Sequence, residues 1–197
     1  GVYSGIIIVM FLYNVFLYLS IRDNQYLFYV FYILAVGLTQ MCLKGYAAKF
    51  LWPDEGWLIV KSNHIVTIMS GIFAILFTLN FLRVRHFSPV ISIVMYCAIG
   101  IHIISAVVYV SGDYLVGQRI LQVNTGVTSL MVLLTGFYIY KKKKFRPALF
   151  FWIAWSFFLS GVIIYILKDM GIFPYNAFTS NAILIGSGLE VALLSFA

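Results

Sequence analysis

The chain has 197 residues, 63% hydrophobic and 18% aromatic but only 10% charged, with a net charge of +7 and a mean hydropathy of +1.01. Soluble domains carry about 45–50% apolar and about 25% charged residues, so a water-soluble globule is excluded. The aromatic content excludes disorder. A membrane-spanning helix takes about 20 residues, so seven spans take about 140 and leave only short loops. The expected fold is one all-α, seven-helix membrane domain covering residues 1–197.

The first apolar run covers residues 1–20 and carries Asn14 deep inside it. Asp23-Asn24 breaks the chain before the second run, 26–43, which holds Gln40 and Cys42. Beyond Pro53-Asp54 the third run, 58–81, carries Lys61 and His64, three residues apart and so on one helix face. Ser88-Pro89 leads into the fourth, 90–110, with Cys97 and His102. Ser111-Gly112-Asp113 separates it from the fifth, 115–140, where Arg119 and Gln122 share a face and Asn124 comes next. The sixth, 147–167, opens on Pro147, a residue suited to a first helical turn, and is followed by Lys168. Pro174-Tyr175-Asn176 precedes the seventh, 177–197, with Asn181, Gly186, Ser187, Gly188 and Glu190. No segment alternates as a membrane-barrel strand would.

Orientation is set by Lys and Arg in the loops. The 1–2, 3–4 and 5–6 connections hold Arg22, Arg83, Arg85, Lys141, Lys142, Lys143, Lys144 and Arg146. The opposite side holds fewer, namely Lys44, Lys49, Lys61, Arg119 and Lys168, diluted by Asp54, Glu55, Asp113 and Asp169. The more basic side is expected in the cytoplasm, which puts the N-terminus outside and the C-terminus inside. The 141–146 cluster also suits contact with anionic lipid headgroups. Four lysines between two spans do not suggest nucleic acid.

Ionisable and amide side chains at membrane depth are functional candidates by default. Glu190 lies roughly 20 Å below the outer boundary of the seventh span, and Asn14 reaches a similar depth in the first. The first and last spans of a closed bundle are neighbours, so Asn14, Ser187 and Ser156 are expected hydrogen-bond donors for the Glu190 carboxyl. Gly186, Ser187 and Gly188 are small enough for close helix approach. The group Glu190, Asn14, Gly186 and Ser187 is either a polar switch or a static strut. Lys61, His64, His102, Arg119, Gln122 and Asn181 gather in the outer half, with Gln40, Asn124 and Lys168 nearby. They form either a cup for a small ligand or docking domain, or interfacial and interhelical packing. Trp52, Trp57, Trp152 and Trp155 fit interfacial belts. Cys42 and Cys97 fall in opposite halves of the membrane and are expected as free, packed thiols.

Several chemistries are set aside. The seventh span has no lysine for a retinal Schiff base, and the three histidines show no H-E-x-x-H spacing. Neither a phosphate-binding glycine loop nor a metal-ligating cluster occurs, nor a nucleophile–base pair. No catalytic residue, metal or cofactor is expected. The halves do not read as an inverted repeat, which weighs against a transporter.

The motifs Tyr13-Asn14-Val15-Phe16-Leu17-Tyr18-Leu19-Ser20-Ile21-Arg22-Asp23, Gly45-Tyr46 with Leu51-Trp52-Pro53, and Phe81-Leu82 with Pro89 occur in that order. Arg146-Pro147-Ala148 with Ala154-Trp155, Gly171-Ile172-Phe173-Pro174 and Gly186-Ser187-Gly188-Leu189-Glu190 complete the series. In this ordered combination the chain resembles the membrane domain of the bacterial seven-transmembrane receptors with diverse intracellular signalling modules. The resemblance implies an extracytoplasmic sensory domain before Gly1 and a cytoplasmic output module after Ala197, of kinase, cyclase or phosphatase type. It places the family's Gly-x-x-x-Glu signature on Gly186 and Glu190, and it implies a multi-pass protein of the bacterial inner membrane. Both termini fall inside apolar runs and no signal-peptide pattern frames the first, so flanking soluble domains are expected on the residues as well. A second copy of the chain is a further expected partner. The rival readings are a small-solute transporter or channel and a passive membrane anchor.

Overall fold

A computed structural model describes residues 2–196, apart from the side chain of Asp169. The two run ends at Gly1 and Ala197 and the side chain of the acid Asp169 therefore lie outside what is described. Among the described residues ten helices form: α1 (Val2–Ile21), α2 (Asn24–Leu43), α3 (Tyr46–Phe50), α4 (Gly56–Phe81) and α5 (Val84–Phe87), then α6 (Pro89–Val110), α7 (Tyr114–Lys143), α8 (Pro147–Asp169), α9 (Ala177–Ser180) and α10 (Ala182–Ser195). Among the described residues, α1, α2, α4, α6, α7 and α8 are long and apolar enough to cross a membrane. The short helices α3 and α5 lie in connections, where a single turn packs a loop against the bundle, and the short α9 opens the seventh apolar run.

Local signals fix the boundaries. Asp23 caps α2 by accepting the Gln25 amide at 3.0 Å. Pro89 and Pro147 occupy first-turn positions of α6 and α8. Reversals at one end of the bundle pass through Arg22, Arg83 and Lys144, all with left-handed φ near +50°. Reversals at the other end use Gly45, Gly112 and Gly171, residues that take this conformation without steric cost. The two ends of the bundle thus differ in turn chemistry as well as in charge.

The seventh apolar run is not the continuous helix expected for 177–197. It breaks at Asn181, whose side-chain amide donates back to the Ala177 carbonyl at 2.8 Å. Lys44 Nζ meanwhile draws out the Ser180 carbonyl at 3.2 Å. Side chains that bond locally to backbone compete with helix continuation. Beyond the break, α10 has 14 residues and a length of about 21 Å.

Consecutive long helices pack side by side, and α10 packs on both α8 and α1, so the bundle closes into a ring. Across the ring, α4 touches α7 and α10 touches α2. The outward surface is apolar, with Leu12, Phe16, Ile93, Val107, Val123 and Leu134 exposed, as a lipid-facing surface requires. Inside, rings from α2, α4 and α8 stack in series. Tyr29 lies 4.5 Å from Phe77, Phe77 lies 6.1 Å from Phe151, and Phe151 lies 5.9 Å from Trp155 between ring centres. Helix α1 is peripheral, burying only Ile7 and Asn14.

Two aromatic and cysteine expectations change. Trp155 is a core residue rather than an interfacial one, 3% exposed, with its indole N–H donating to the Ser129 carbonyl at 3.0 Å. The α8 face that carries it also carries Phe151 and Ala148, so helical spacing turns it inward. Cys97 is exposed on the outer surface of α6 rather than packed, while Cys42 is half-buried with Sγ 3.7 Å from Ser62 Oγ.

Candidate functional site

Two polar groupings occupy the bundle interior. The first lies between α10 and its neighbours α1 and α2. Glu190 is fully buried, and its Oε2 accepts the Tyr32 hydroxyl at 3.0 Å, whereas Oε1 has no partner. One residue on, the Val191 carbonyl accepts the Tyr29 hydroxyl at 2.8 Å. A turn further, Ser195 Oγ accepts Asn14 Nδ2 at 2.8 Å and donates to the same Val191 carbonyl at 2.8 Å. Together with Ser187 to the Tyr3 hydroxyl, four hydrogen bonds tie α10 to α1 and α2 within an otherwise apolar interface.

This differs from the sequence expectation in its partners. Asn14 sits too far toward the basic end to reach Glu190, and bonds Ser195 instead. Ser156 donates to its own helix at the Trp152 carbonyl. Ser187 lies one turn above, 3.3 Å from the Tyr3 hydroxyl. Tyr32, which sequence reasoning did not single out, is the donor. The small residues divide as well. A Cβ on Gly186 would meet the Phe157 carbonyl oxygen at 2.8 Å, so Gly186 is where α10 and α8 touch backbone to backbone, opposite Gly161. Gly188 has more room, with Tyr3 at 3.7 Å. At the basic end, a crevice of about 440 Å³ reaches Asn14 and Ser195 past Arg83 and Phe145.

The second grouping lies toward the other end. His64 donates from Nδ1 to Gln118 Oε1 at 2.8 Å and stacks on Tyr109 at 3.7 Å between ring centres. Ser105 donates to the Gly117 carbonyl at 2.8 Å and lies 3.4 Å from His64 Nε2. Deeper, His102 Nδ1 lies 2.9 Å from the Ala98 carbonyl and against the Asn124 amide, which itself donates to Ala98 at 3.0 Å.

The six residues grouped as an outer cup do not converge. His102 and Gln122 share a cavity near mid-depth. His64 is held in the network above it, and Gln118 links the two. Lys61 lies over the Trp57 and Tyr114 rings, at 5.2 and 5.1 Å, which keeps its ammonium at the interface. Asn181 stands apart beside Lys44. Arg119 is exposed at the start of α7 and does not line the cavity, because its position on the helix faces away from Gln118. The cluster Lys141, Lys142, Lys143, Lys144 and Arg146 is exposed, and Lys141 and Lys142 lie over Phe137 and Tyr138. Lys168 does the same with Tyr165 and Tyr175.

Among the described residues, no three His, Cys, Asp or Glu side chains come close enough to hold a metal ion. Ser105 lies beside His64 but its hydroxyl donates to the Gly117 carbonyl; what the interior offers is buried hydrogen bonds between helices that can be exchanged. Neither a curated protein nor a solved structure gives a significant match to the chain. A family model described as 7TM diverse intracellular signalling matches residues 1–197. The chain belongs to that family, and is a multi-pass membrane domain linked to intracellular signalling.

Proposed function

We propose that this domain is the membrane transducer of a bacterial inner-membrane receptor, relaying an extracytoplasmic or membrane-borne signal to a cytoplasmic output module through movement of α10. In this reading α9 and α10 together make the seventh crossing, with the N-terminus outside and the basic loops in the cytoplasm. A sensory domain precedes the bundle, a kinase, cyclase or phosphatase module comes after it, and signalling occurs in a homodimer. The bundle itself transmits and does not catalyse. The basic turns at Arg22, Arg83 and Lys144 support the orientation.

The observation that carries the reading is the attachment of α10. The last helix of the bundle is held to α1 and α2 by Tyr32–Glu190, Tyr29–Val191 and Asn14–Ser195. One carboxyl oxygen of Glu190 is left unpaired in an apolar interior. An unsatisfied buried polar atom costs about 1–3 kcal/mol, so a second packing that satisfies it lies within the few kcal/mol over which signals shift populations. A passive anchor has no use for such a frustrated contact.

The test is signalling output per folded molecule in the full-length protein. Glu190→Gln keeps the shape and one acceptor, and is expected to preserve folding while locking output high or low. Glu190→Leu is expected to do the same with lower expression. Equal output per folded molecule in wild type, Gln and Leu variants would make Glu190 a strut and remove the basis for the reading.

A further inference from the structure

A cavity of about 720 Å³ lies inside the bundle between α2, α4, α7 and α8, with His102 of α6 at its inner wall. Pockets of this size enclose drug-sized molecules. Thr125 and Thr128 line it, roughly 17 and 21 Å along α7 from its start at Tyr114 by the helical rise. That is near the middle of a hydrocarbon core about 30 Å thick. Its walls are mostly apolar, and among the described residues none of the lining side chains is Lys, Arg, Asp or Glu.

Three buried polar atoms on these lining residues have no partner: His102 Nε2, Thr125 Oγ1 and Thr128 Oγ1. His102 is fully buried and Thr128 is 4% exposed. Buried polar atoms are almost always paired; His102 Nε2 is packed against Gly71, so it is the two threonine hydroxyls of α7 that point to an occupant. The opening is lateral. Gln122, Gly126 and Leu130 of α7 and Ile163 and Ile166 of α8 line the cavity yet are exposed on the apolar outer surface.

We propose that this cavity binds a neutral, predominantly apolar small molecule bearing a hydroxyl group, which reaches it from the bilayer between α7 and α8. The absence of charged lining residues disfavours an ionised head. A hydroxyl both donates and accepts, so it satisfies the threonine hydroxyls. Tyr32 lines the cavity and donates to Glu190 on its other side, so an occupant bears on the contact that holds α10. Binding stands on the cavity alone; only this last link rests on the signalling reading.

The experiment uses the full-length protein in lipid vesicles and a long-chain alcohol carrying a diazirine, with the matching diazirine alkane as control. After irradiation, cross-links are mapped by mass spectrometry. The alcohol is expected to label residues 122–130 and 158–166 saturably, and excess unlabelled alcohol is expected to displace it. Because no protein group bonds the Thr128 hydroxyl, Thr128→Val leaves the fold intact. It is expected to weaken alcohol binding about three- to tenfold, the loss of one hydrogen bond, without changing alkane labelling. A Cβ at Gly126 meets nothing within 4 Å, so the backbone there accepts a side chain; Gly126→Phe is expected to narrow the opening and abolish saturable labelling in a protein whose helicity is checked to be unchanged. Non-saturable labelling, equal displacement by the alkane, or wild-type labelling of Gly126→Phe would each overturn the proposal. Saturable binding with no change in signalling output would keep the site and refute only its link to α10.

Discussion

Replacing Tyr32 by Phe removes the one hydroxyl that donates to Glu190 and leaves both carboxyl oxygens without a partner. The expected cost is about 1–3 kcal/mol, the penalty for stranding a buried polar group. Tyr29→Phe removes a donor from the Val191 carbonyl, which still accepts from Ser195, so about 0.5–1.5 kcal/mol is expected there. Unfolding of the two variants in detergent micelles would rank them, and a larger loss for Tyr29→Phe would contradict the arrangement. Asn14 and Glu190 were legible in the sequence because a polar residue in an apolar run stands out at once. Tyr32 was not, since it is one of 14 tyrosines and only the rotation of α2 about its axis decides which hydroxyl meets a carboxylate. The same holds for Gln118, hidden beside the more conspicuous Arg119.

Helix boundaries were readable where the signal is local, as at Asp23, Pro89 and Pro147, because capping and proline geometry act within one turn. The break at Asn181 was readable only in part. Thr179-Ser180-Asn181 is a local polar signal and Asn181 bonds back to Ala177, but nothing local shows Lys44, distant in sequence, reaching the Ser180 carbonyl. Helix contact is intermediate: small residues mark a possible approach, but not which of them makes it. Gly186 and Gly188 therefore separate by experiment. Gly186→Ala pushes a methyl against the Phe157 carbonyl of α8, and a backbone atom cannot swing aside. Overpacking of this kind costs about 1–3 kcal/mol, more than the gain of about 1 kcal/mol from replacing a helical glycine by alanine. Gly188→Ala keeps that gain, since its methyl would meet Tyr3 at an ordinary 3.7 Å. Thermal unfolding in detergent should shift down for the first and up for the second. Two shifts of the same sign would show that α8 and α10 do not depend on the Gly161–Gly186 approach.

At the scale of the whole molecule, composition and loop length already imply the ring. Short connections force consecutive helices to be neighbours, and the last must then meet the first if the bundle is to close, as α10 and α1 do. The interior cavity is a different matter, because its polar lining comes from separate helices and none of its members forms a motif in the chain. Orientation lies between the two: the loops that turn through Arg22, Arg83 and Lys144 share one end of the bundle, and the Lys and Arg excess there is the ground on which that end is proposed to face the cytoplasm. With Cys42 and Cys97 replaced by alanine, Lys142→Cys and Ser111→Cys report the two ends. Ser111 is exposed beyond α6 and Lys142 is exposed on the last turn of α7, so neither probe needs the bundle to open. Four basic residues of the 141–146 segment remain after Lys142→Cys, so the substitution does not itself remove the topology signal. In intact cells, a membrane-impermeant maleimide should modify Ser111→Cys at once and Lys142→Cys only after permeabilisation. The opposite pattern would put the end of α10 outside the cell, where no movement of that helix could reach a cytoplasmic module.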